Sequence, residues 1–306
     1  MVKIKEIQNY KNYGACVSIS NEKIELLVTV DIGPRIIYLA HHGKENMMFN
    51  DVDRKISHDV SSLYGDGSRW YIYGGHRLWV SPEAFPLTYY PDNDKVIYEY
   101  LPNGVLFQPP VQKETGLAYK ITVTMDDNEP KVQVIHEITN TLQTSVTGAA
   151  WGLTVMDAGG MIIAPLNSED TGFLPNRHIV LWPYTHFSDS RLCLGDEYIG
   201  LKHNSRMNNP IKLSFNNMCG KLAYVNHNQA FIKSFKISYG SSLKYPDFDT
   251  NCEFYSCKDF TEAESLSPLY TLNNGESLTH AEEWTLLDDV EMCPLKEKDI
   301  KELAKK

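Results

Sequence analysis

The sequence of 306 residues has no stretch that approaches the about 20 consecutive apolar residues of a membrane-spanning helix. Its first six residues lack the apolar core of a secretion signal. No basic run occurs, and a formal net charge of -10 repels phosphate backbones and anionic lipid surfaces. We therefore predict a cytoplasmic protein that has neither nucleic acid nor a membrane as its partner.

The cysteines include no Cys-x-x-Cys pair, and no carboxylate-rich loop has the spacing of a metal site. We expect free thiols, no bound metal and no cofactor. The six cysteines are Cys16, Cys193, Cys219, Cys252, Cys257 and Cys293. Internal repeats, low-complexity tracts and linkers are also missing, which predicts a single domain over residues 1–306.

Apolar and polar residues alternate along much of the chain, with the period of two that is typical of half-buried strands. Residues 23–30 and 35–39 form one predicted hairpin, and residues 119–126 and 131–138 form the clearest one. Only residues 294–306 have a helical pattern. We predict an all-β fold, a large antiparallel two-sheet β-sandwich with a short C-terminal helix.

Residues 71–83 combine two glycines with four side chains that can carry chemistry. His76 is a titratable ring, Arg77 a planar cation, Trp79 a stacking surface and Glu83 a carboxylate. A pyranose offers an apolar face for stacking and hydroxyls for charged groups, so this mixture predicts a sugar-binding cleft. The alternative is a structural turn in which Arg77 pairs with Glu83 and Trp79 covers the core.

Two further stretches have a similar composition. Residues 174–184 contain Arg177, His178 and Trp182 among other aromatic residues. An apolar strand of small residues between 148 and 156 holds Trp151 beside glycines that permit close packing. The first stretch repeats the chemistry of residues 71–83, and the second is an apolar run of strand length with a large indole.

Charged residues in the second half occupy strand positions with a defined face. Glu262 and Glu264 are two residues apart in an extended segment and therefore project from the same face. Neighbouring carboxylates raise the pKa of at least one of them, which suits general acid or base catalysis; a solvated strand face is the alternative. Lys233 shares a face with apolar residues and needs an anion or a cavity, unless its amine reaches the solvent.

Three stretches together resemble the galactose mutarotase-like, or aldose 1-epimerase-like, superfamily, in one of its uncharacterised side branches. They are residues 74–83, residues 174–184, and residues 262–269 followed by Asn274-Gly275-Glu276. The similarity extends in order over nearly the whole chain. It implies a β-supersandwich with a carbohydrate cleft on the concave sheet.

Mutarotation needs a base for the anomeric hydroxyl and an acid for the ring oxygen. The resemblance implies that Glu264 is the base. The epimerase acid is a histidine that aligns with residues 148–154, where this chain has Trp151 and no histidine. His76 or His178 is therefore the expected acid.

The resemblance also implies a set of ligand-binding side chains. The arginines of the two motifs would bind hydroxyls or a carboxylate, and the tryptophans would stack on the sugar ring. Lys233 and Arg35 would hold an anionic group such as a uronate or a sugar phosphate. The full set is Arg35, Arg77, Trp79, Glu83, Trp151, Arg177, His178, Trp182, Lys233 and Glu262.

The sequence leaves three functions open for a protein whose partner is a small carbohydrate. The first is an isomerase that interconverts sugar anomers. The second is a carbohydrate-binding module without turnover, in which Trp151 has replaced the acid. The third is an enzyme that resembles polysaccharide lyases and acts on an acidic sugar, with Tyr245 or Tyr89 as its base.

Overall fold

The structure is a computed structural model that describes residues 1–239 and 242–290. The predicted C-terminal helix lies outside these residues. In chain order the elements are β1 Lys3–Ile7, β2 Cys16–Ser20, β3 Ile24–Thr29, β4 Ile36–His41, β5 Ser57–Asp59, α1 Ser61–Tyr64, β6 Arg69–Tyr71, β7 Gly75–Ser81, β8 Ile97–Leu101, β9 Gly104–Gln108, β10 Leu117–Met125, β11 Lys131–Asn140, β12 Val146–Met156, β13 Met161–Pro165, β14 Ile179–Leu181, β15 Leu192–Leu194, β16 Tyr198–Lys202, β17 Ile211–Phe215, β18 Lys221–Asn226, β19 Gln229–Phe235, α2 Pro246–Asp249, β20 Cys252–Ser256, β21 Thr261–Leu266, β22 Tyr270–Leu272 and β23 Ser277–Asp288.

Two large antiparallel sheets account for most of these strands. The first sheet has the order β1-β2-β3-β4-β7-β12-β21-β20-β17-β14, and β22 pairs with β12 beside this path. The second sheet has the order β15-β16-β13-β18-β19-β23-β11-β10-β9-β8. The predicted all-β, antiparallel two-sheet fold is therefore confirmed. Neither of the short helices in the described ranges is long and apolar enough to cross a membrane.

The main core lies between the two sheets. Leu78 and Ala150 from the first sheet pack in one apolar cluster with Val134, Phe231 and Trp284 from the second. Full burial of each large apolar side chain contributes about 1.5–3 kcal/mol. Successive side chains of a strand point to opposite faces of its sheet. Each strand therefore has one row of side chains in the core between the sheets and one row on the outer face.

The outer face of the first sheet is also partly covered. The short hairpin of β5 and β6 lies over it, and Trp70 from this hairpin joins a second apolar cluster with Trp151, Leu153 and Phe260. The cover is incomplete, and a hollow is left between the hairpin and the sheet.

Gly75 lets β7 run close beside β4. Its backbone has φ of +66°, and a Cβ atom at this position would lie 2.3 Å from the carbonyl oxygen of Ile36. A larger residue is excluded by both the conformation and the space. The glycine pair thus sets the position of the side chains that follow it in β7.

Candidate functional site

Strand register decides which side chains reach the hollow. In the pairing of β7 with β12, Trp79 lies opposite Trp151 and Arg77 opposite Leu153, on the outer face. In the pairing of β12 with β21, Leu153 lies opposite Glu264. The predicted common face of Glu262 and Glu264 is therefore the outer face of the first sheet.

The hollow is a cleft of about 290 Å³ between this face and the β5–β6 hairpin. Its lining is Ile56, His58, Trp70, Ile72, Trp79, Glu83, Tyr89, Trp151, Leu153, Tyr184, Pro210, Lys212, Tyr255, Phe260 and Glu262. Trp79 is at the centre of an aromatic group: its ring lies 5.4 Å from that of Trp151, 5.5 Å from that of Trp70 and 5.2 Å from that of Tyr89. Such a surface suits an apolar sugar face.

Glu262 is the acidic group at the inner wall of the cleft. Its side chain is 9% exposed and makes no hydrogen bond or ion pair with any residue that the structure describes. Burial, followed by the charge of Glu264, raises the pKa of Glu262 to about 8. A carboxyl group in this range can take up and release protons near neutral pH.

Glu264 has a different environment, although it shares the strand and the face. It is fully buried, accepts a 2.7 Å hydrogen bond from Nε1 of Trp151, and lies 3.2 Å from Nζ of Lys212. Glu264 does not line the cleft but lies beneath its floor. The residue that the resemblance implies as base is therefore separated from a ligand by Trp151 and Lys212.

Lys212 of β17 is the one lysine among the described lining residues. Its amine forms a 2.7 Å ion pair with Glu253 and lies 4.6 Å from the ring of Trp151 and 4.8 Å from that of Trp182. Burial lowers the pKa of Lys212, but the carboxylates of Glu253 and Glu264 outweigh it and raise the pKa well above its ordinary value. The amine of Lys212 therefore stays protonated, and its charge is balanced by carboxyl groups of the protein.

Arg77 lies behind the aromatic wall. The guanidinium is fully buried, 5.0 Å from the ring of Trp70 and 4.6 Å from that of Trp79, and it donates a 2.8 Å hydrogen bond to the carbonyl of Ile72. Burial lowers the pKa of Arg77 to about 9. Glu83 accepts a hydrogen bond from the Tyr89 hydroxyl, so the alternative pairing of Arg77 with Glu83 is not observed.

The β5–β6 hairpin supplies a histidine to the cleft. The ring of His58 stacks on that of Trp70 at 5.3 Å and meets the ring of Tyr89 edge-on at 5.4 Å. His58 was not among the predicted residues, because its strand has only three residues and shows no period. The other lining residues outside the stretches singled out in the sequence are Ile56, Trp70, Pro210, Lys212, Tyr255 and Phe260.

His76 lies on the opposite face of the first sheet. It is fully buried between the sheets, with Nδ1 2.9 Å from the hydroxyl of Thr154 and Nε2 2.7 Å from Nε2 of His136. Burial lowers the pKa of His76 well below its ordinary value. The expectation that His76 and Glu264 share one pocket is corrected: adjacent residues of β7 project to opposite faces, so Arg77 and Trp79 face outward while His76 faces the second sheet.

Lys233 also lies between the sheets, away from the cleft. Its amine is 2.9 Å from Glu282 and 3.0 Å from the carbonyl oxygens of Gly152 and Ala263. The anion that a buried lysine needs is thus supplied by the protein. This corrects the expectation that Lys233 meets the charge of a ligand in the cleft.

His76, His136 and Glu282 together offer three metal-ligating atoms within 4.8 Å of one another. Their hydrogen bonds are complete without an ion. The Thr154 hydroxyl can donate to His76, His76 to His136, and His136 to the carbonyl of His280. Because Lys233 already neutralises Glu282, an added cation would leave excess positive charge in the core.

Four other predicted residues lie away from the cleft lining. Arg35 forms a 2.5 Å ion pair with Asp92 beside a smaller hollow, which also contacts Trp79. Arg177 and His178 are exposed, and Arg177 donates to two backbone carbonyls of neighbouring loops. Trp182 does not line the cleft, but its ring lies 4.8 Å from the amine of Lys212. The structure thus brings Trp79, Glu83, Trp151 and Glu262 together and leaves these four outside.

Comparison with known proteins identifies the fold. A TPR-domain containing protein from Parabacteroides distasonis matches 92% of this chain with a TM-score of 0.63 and 13% identity, and this chain spans about half of its length, 48%. Galactose mutarotase-like proteins from Lactobacillus casei (TM-score 0.53, 12% identity, 89% of this chain, 99% of that one) and Clostridium acetobutylicum (0.52, 10%, 94% and 99%) also match.

By sequence, no family model and no curated protein matches this chain. At these low identities the structural likeness shows the fold alone. The predicted resemblance to galactose mutarotase-like and aldose 1-epimerase-like proteins is confirmed at that level. The chain therefore shares the fold of these proteins.

Proposed function

We propose that this protein binds a carbohydrate in the aromatic cleft and interconverts its anomers, as an isomerase of the aldose 1-epimerase type. One observation carries the proposal: Glu262, nine-tenths buried and without a partner among the described residues, lines a cavity whose other walls are largely aromatic. A buried carboxyl group without a partner is costly to keep unless it has a use.

The cleft suits a sugar ring in both size and chemistry. Its volume of about 290 Å³ is near the lower limit of small-molecule pockets. Trp79 and Trp151 supply stacking surface, while Glu83, Glu262 and Lys212 supply polar atoms for hydroxyls. The likeness to galactose mutarotase-like proteins supports the same class of ligand.

In the proposed reaction, Glu262 as carboxylate takes the proton of the anomeric hydroxyl. The bond between the anomeric carbon and the ring oxygen breaks as the carbonyl forms, and protonated His58 gives its proton to the ring oxygen. Rotation of the open aldehyde and the reverse steps close the ring on its other face. Both groups line the cleft, one from the sheet and one from the hairpin.

A non-catalytic carbohydrate-binding module is the second candidate. Glu264, which the resemblance implies as the base, is fully buried under Trp151 and Lys212. If no other group has taken over its role, the cleft only holds the ligand. The structure favours this function over a lyase, because burial raises the pKa of Tyr89 and Tyr245, whereas a tyrosine base needs a lowered one, and Tyr245 does not line the cleft.

Exchange between α and β anomers, followed by NMR over a panel of aldoses, tests the proposal. We expect acceleration over the buffer rate that falls about 100-fold in Glu262→Gln. Glu99 is an exposed residue of the second sheet, and Glu99→Gln is the matched control. We expect this variant to retain the wild-type rate of anomer exchange. Binding by calorimetry with exchange at the buffer rate supports the module, and release of an unsaturated product from an acidic polysaccharide supports the lyase.

A further inference from the structure

Carboxylates outnumber cations around the cleft. Glu83 and Glu262 line it, and Glu253 and Glu264 lie directly beneath its floor. Lys212 is the only cationic side chain among the described lining residues other than the titratable His58, and its amine is bound by Glu253 at 2.7 Å and Glu264 at 3.2 Å. Lys212 is thus held by two carboxyl groups of the protein and makes no direct ion pair with Glu262.

Arg77 does not fill this role either. Its guanidinium has no exposed surface and lies against the rings of Trp70 and Trp79, which separate it from the cavity. An anionic group on a ligand would therefore meet no unpaired lysine or arginine in the described lining, and its burial beside the carboxyl of Glu262 would be unfavourable. A cationic group would meet the unpaired carboxyl of Glu262 and the aromatic rings of the lining.

The aromatic walls favour the same sign of charge. Tyr89, Tyr255 and Phe260 line the cleft. Among the described residues no lysine or arginine lies over any of these three rings. The face of an aromatic ring attracts a cation, by about 0.5–2 kcal/mol.

We propose that the ligand of this cleft is an amino sugar, whose ammonium group pairs with Glu262 and packs against the neighbouring aromatic rings. This inference rests on the proposed function, since it names the substrate class of the same site. It replaces the expectation of an acidic sugar, because Lys233, Arg35 and Arg177 do not line the cleft.

Pairing with an ammonium group also changes the ionisation of Glu262. The groups that act on it are Glu83 and Arg77 from β7 and its following loop, Lys212 from β17, Glu264 from its own strand, and the hydroxyls of Tyr89, Tyr184 and Tyr255. None of them gives Glu262 a direct ion pair. A ligand ammonium would, so its binding should release the proton that Glu262 carries below a pKa of about 8.

Calorimetry with a matched set of sugars tests the inference: a 2-amino aldose, its N-acetyl derivative, the parent aldose and the corresponding uronate. At about pH 6.5, where the amine is protonated, we expect the amino sugar to bind about tenfold more tightly than its N-acetyl derivative. Titration in two buffers of different ionisation enthalpy should show proton release for the amino sugar only.

The variant Glu262→Gln should remove both the tenfold preference and the proton release, whereas Glu99→Gln should retain them. The wild-type comparison alone is decisive if Glu262→Gln does not fold. Equal affinity for amino and N-acetyl sugars, or a preference for the uronate, overturns the inference and leaves the proposed function intact. Failure of every sugar to bind overturns both.

Discussion

Glu262 and Glu264 project from the same face of β21, but only Glu264 is neutralised by the protein. Trp151 donates to Glu264 and Lys212 lies 3.2 Å from it, while Glu262 has neither kind of partner among the described residues. We therefore assign proton transfer to Glu262 and a structural role to Glu264.

The rate of anomer exchange should rise with pH through the pKa of Glu262. The proposed base acts as a carboxylate, and burial raises its pKa to about 8. With a neutral aldose, the carboxylate fraction of Glu262 should therefore increase about tenfold per pH unit below this value, and kcat/KM should follow it as long as the acid, His58, keeps its proton. A plateau that begins near pH 5 would contradict the assignment.

Trp151→Phe should destabilise the protein by about 2 kcal/mol, because it removes a hydrogen bond to the buried carboxylate of Glu264. Trp182→Phe is the control, since the amine of Lys212 lies over this ring at a similar distance, 4.8 Å against 4.6 Å. Chemical denaturation measures both. Equal losses would show that the hydrogen bond contributes nothing.

Lys233→Met should cost about 3–5 kcal/mol, because it leaves the buried carboxylate of Glu282 without its cation. Addition of Glu282→Gln to this variant removes the charge and should recover part of the loss. The free energy of unfolding of the two single variants and the double variant gives the coupling. A double variant that is no more stable than Lys233→Met would argue against the ion pair.

His227 should make stability depend on pH. Its hydrogen bond to Asp157, with the charges of Asp157 and Glu45, raises the pKa of His227 in the folded state despite burial. The contribution of His227 to the free energy of unfolding is therefore complete below its pKa in the unfolded chain, about 6.5. It is lost as the pH rises through the higher pKa of His227 in the folded state. The wild type should lose more stability between pH 6 and pH 9 than His227→Asn.

Asparagine is the appropriate replacement because His227 has φ of +50°, a conformation that asparagine tolerates. Denaturant midpoints of both proteins across this range are the measurement. If the difference between them grows with pH instead, His227 is not stabilised by its proton.

Local alternation was sufficient to predict much of the fold. The two predicted hairpins correspond to β3–β4 and β10–β11, and the common face of Glu262 and Glu264 follows from the same period. The period also held the signal that His76 is internal, because His76, Leu78 and Val80 form the apolar row of β7. The composition of the motif suggested otherwise.

Lys212 shows why the rest of the site could not be predicted. It alternates with Ile211 and Leu213, which on its own indicates a solvent-facing lysine. Its burial arises only because β17 pairs with β20, whose other neighbour is β21. Such an order of distant strands is set by the packing of the whole sheet, and no local pattern in β17 contains it.

The opposite orientation of His76 and Arg77 makes β7 intolerant of a change in length. Deletion of one residue between Gly75 and Ser81 would turn Trp79 toward the second sheet and a core leucine toward the cleft. Transfer of this segment between proteins of the same fold should therefore succeed only when the number of residues is kept, or is changed by two. In β7 the number of residues is therefore as constrained as their identity.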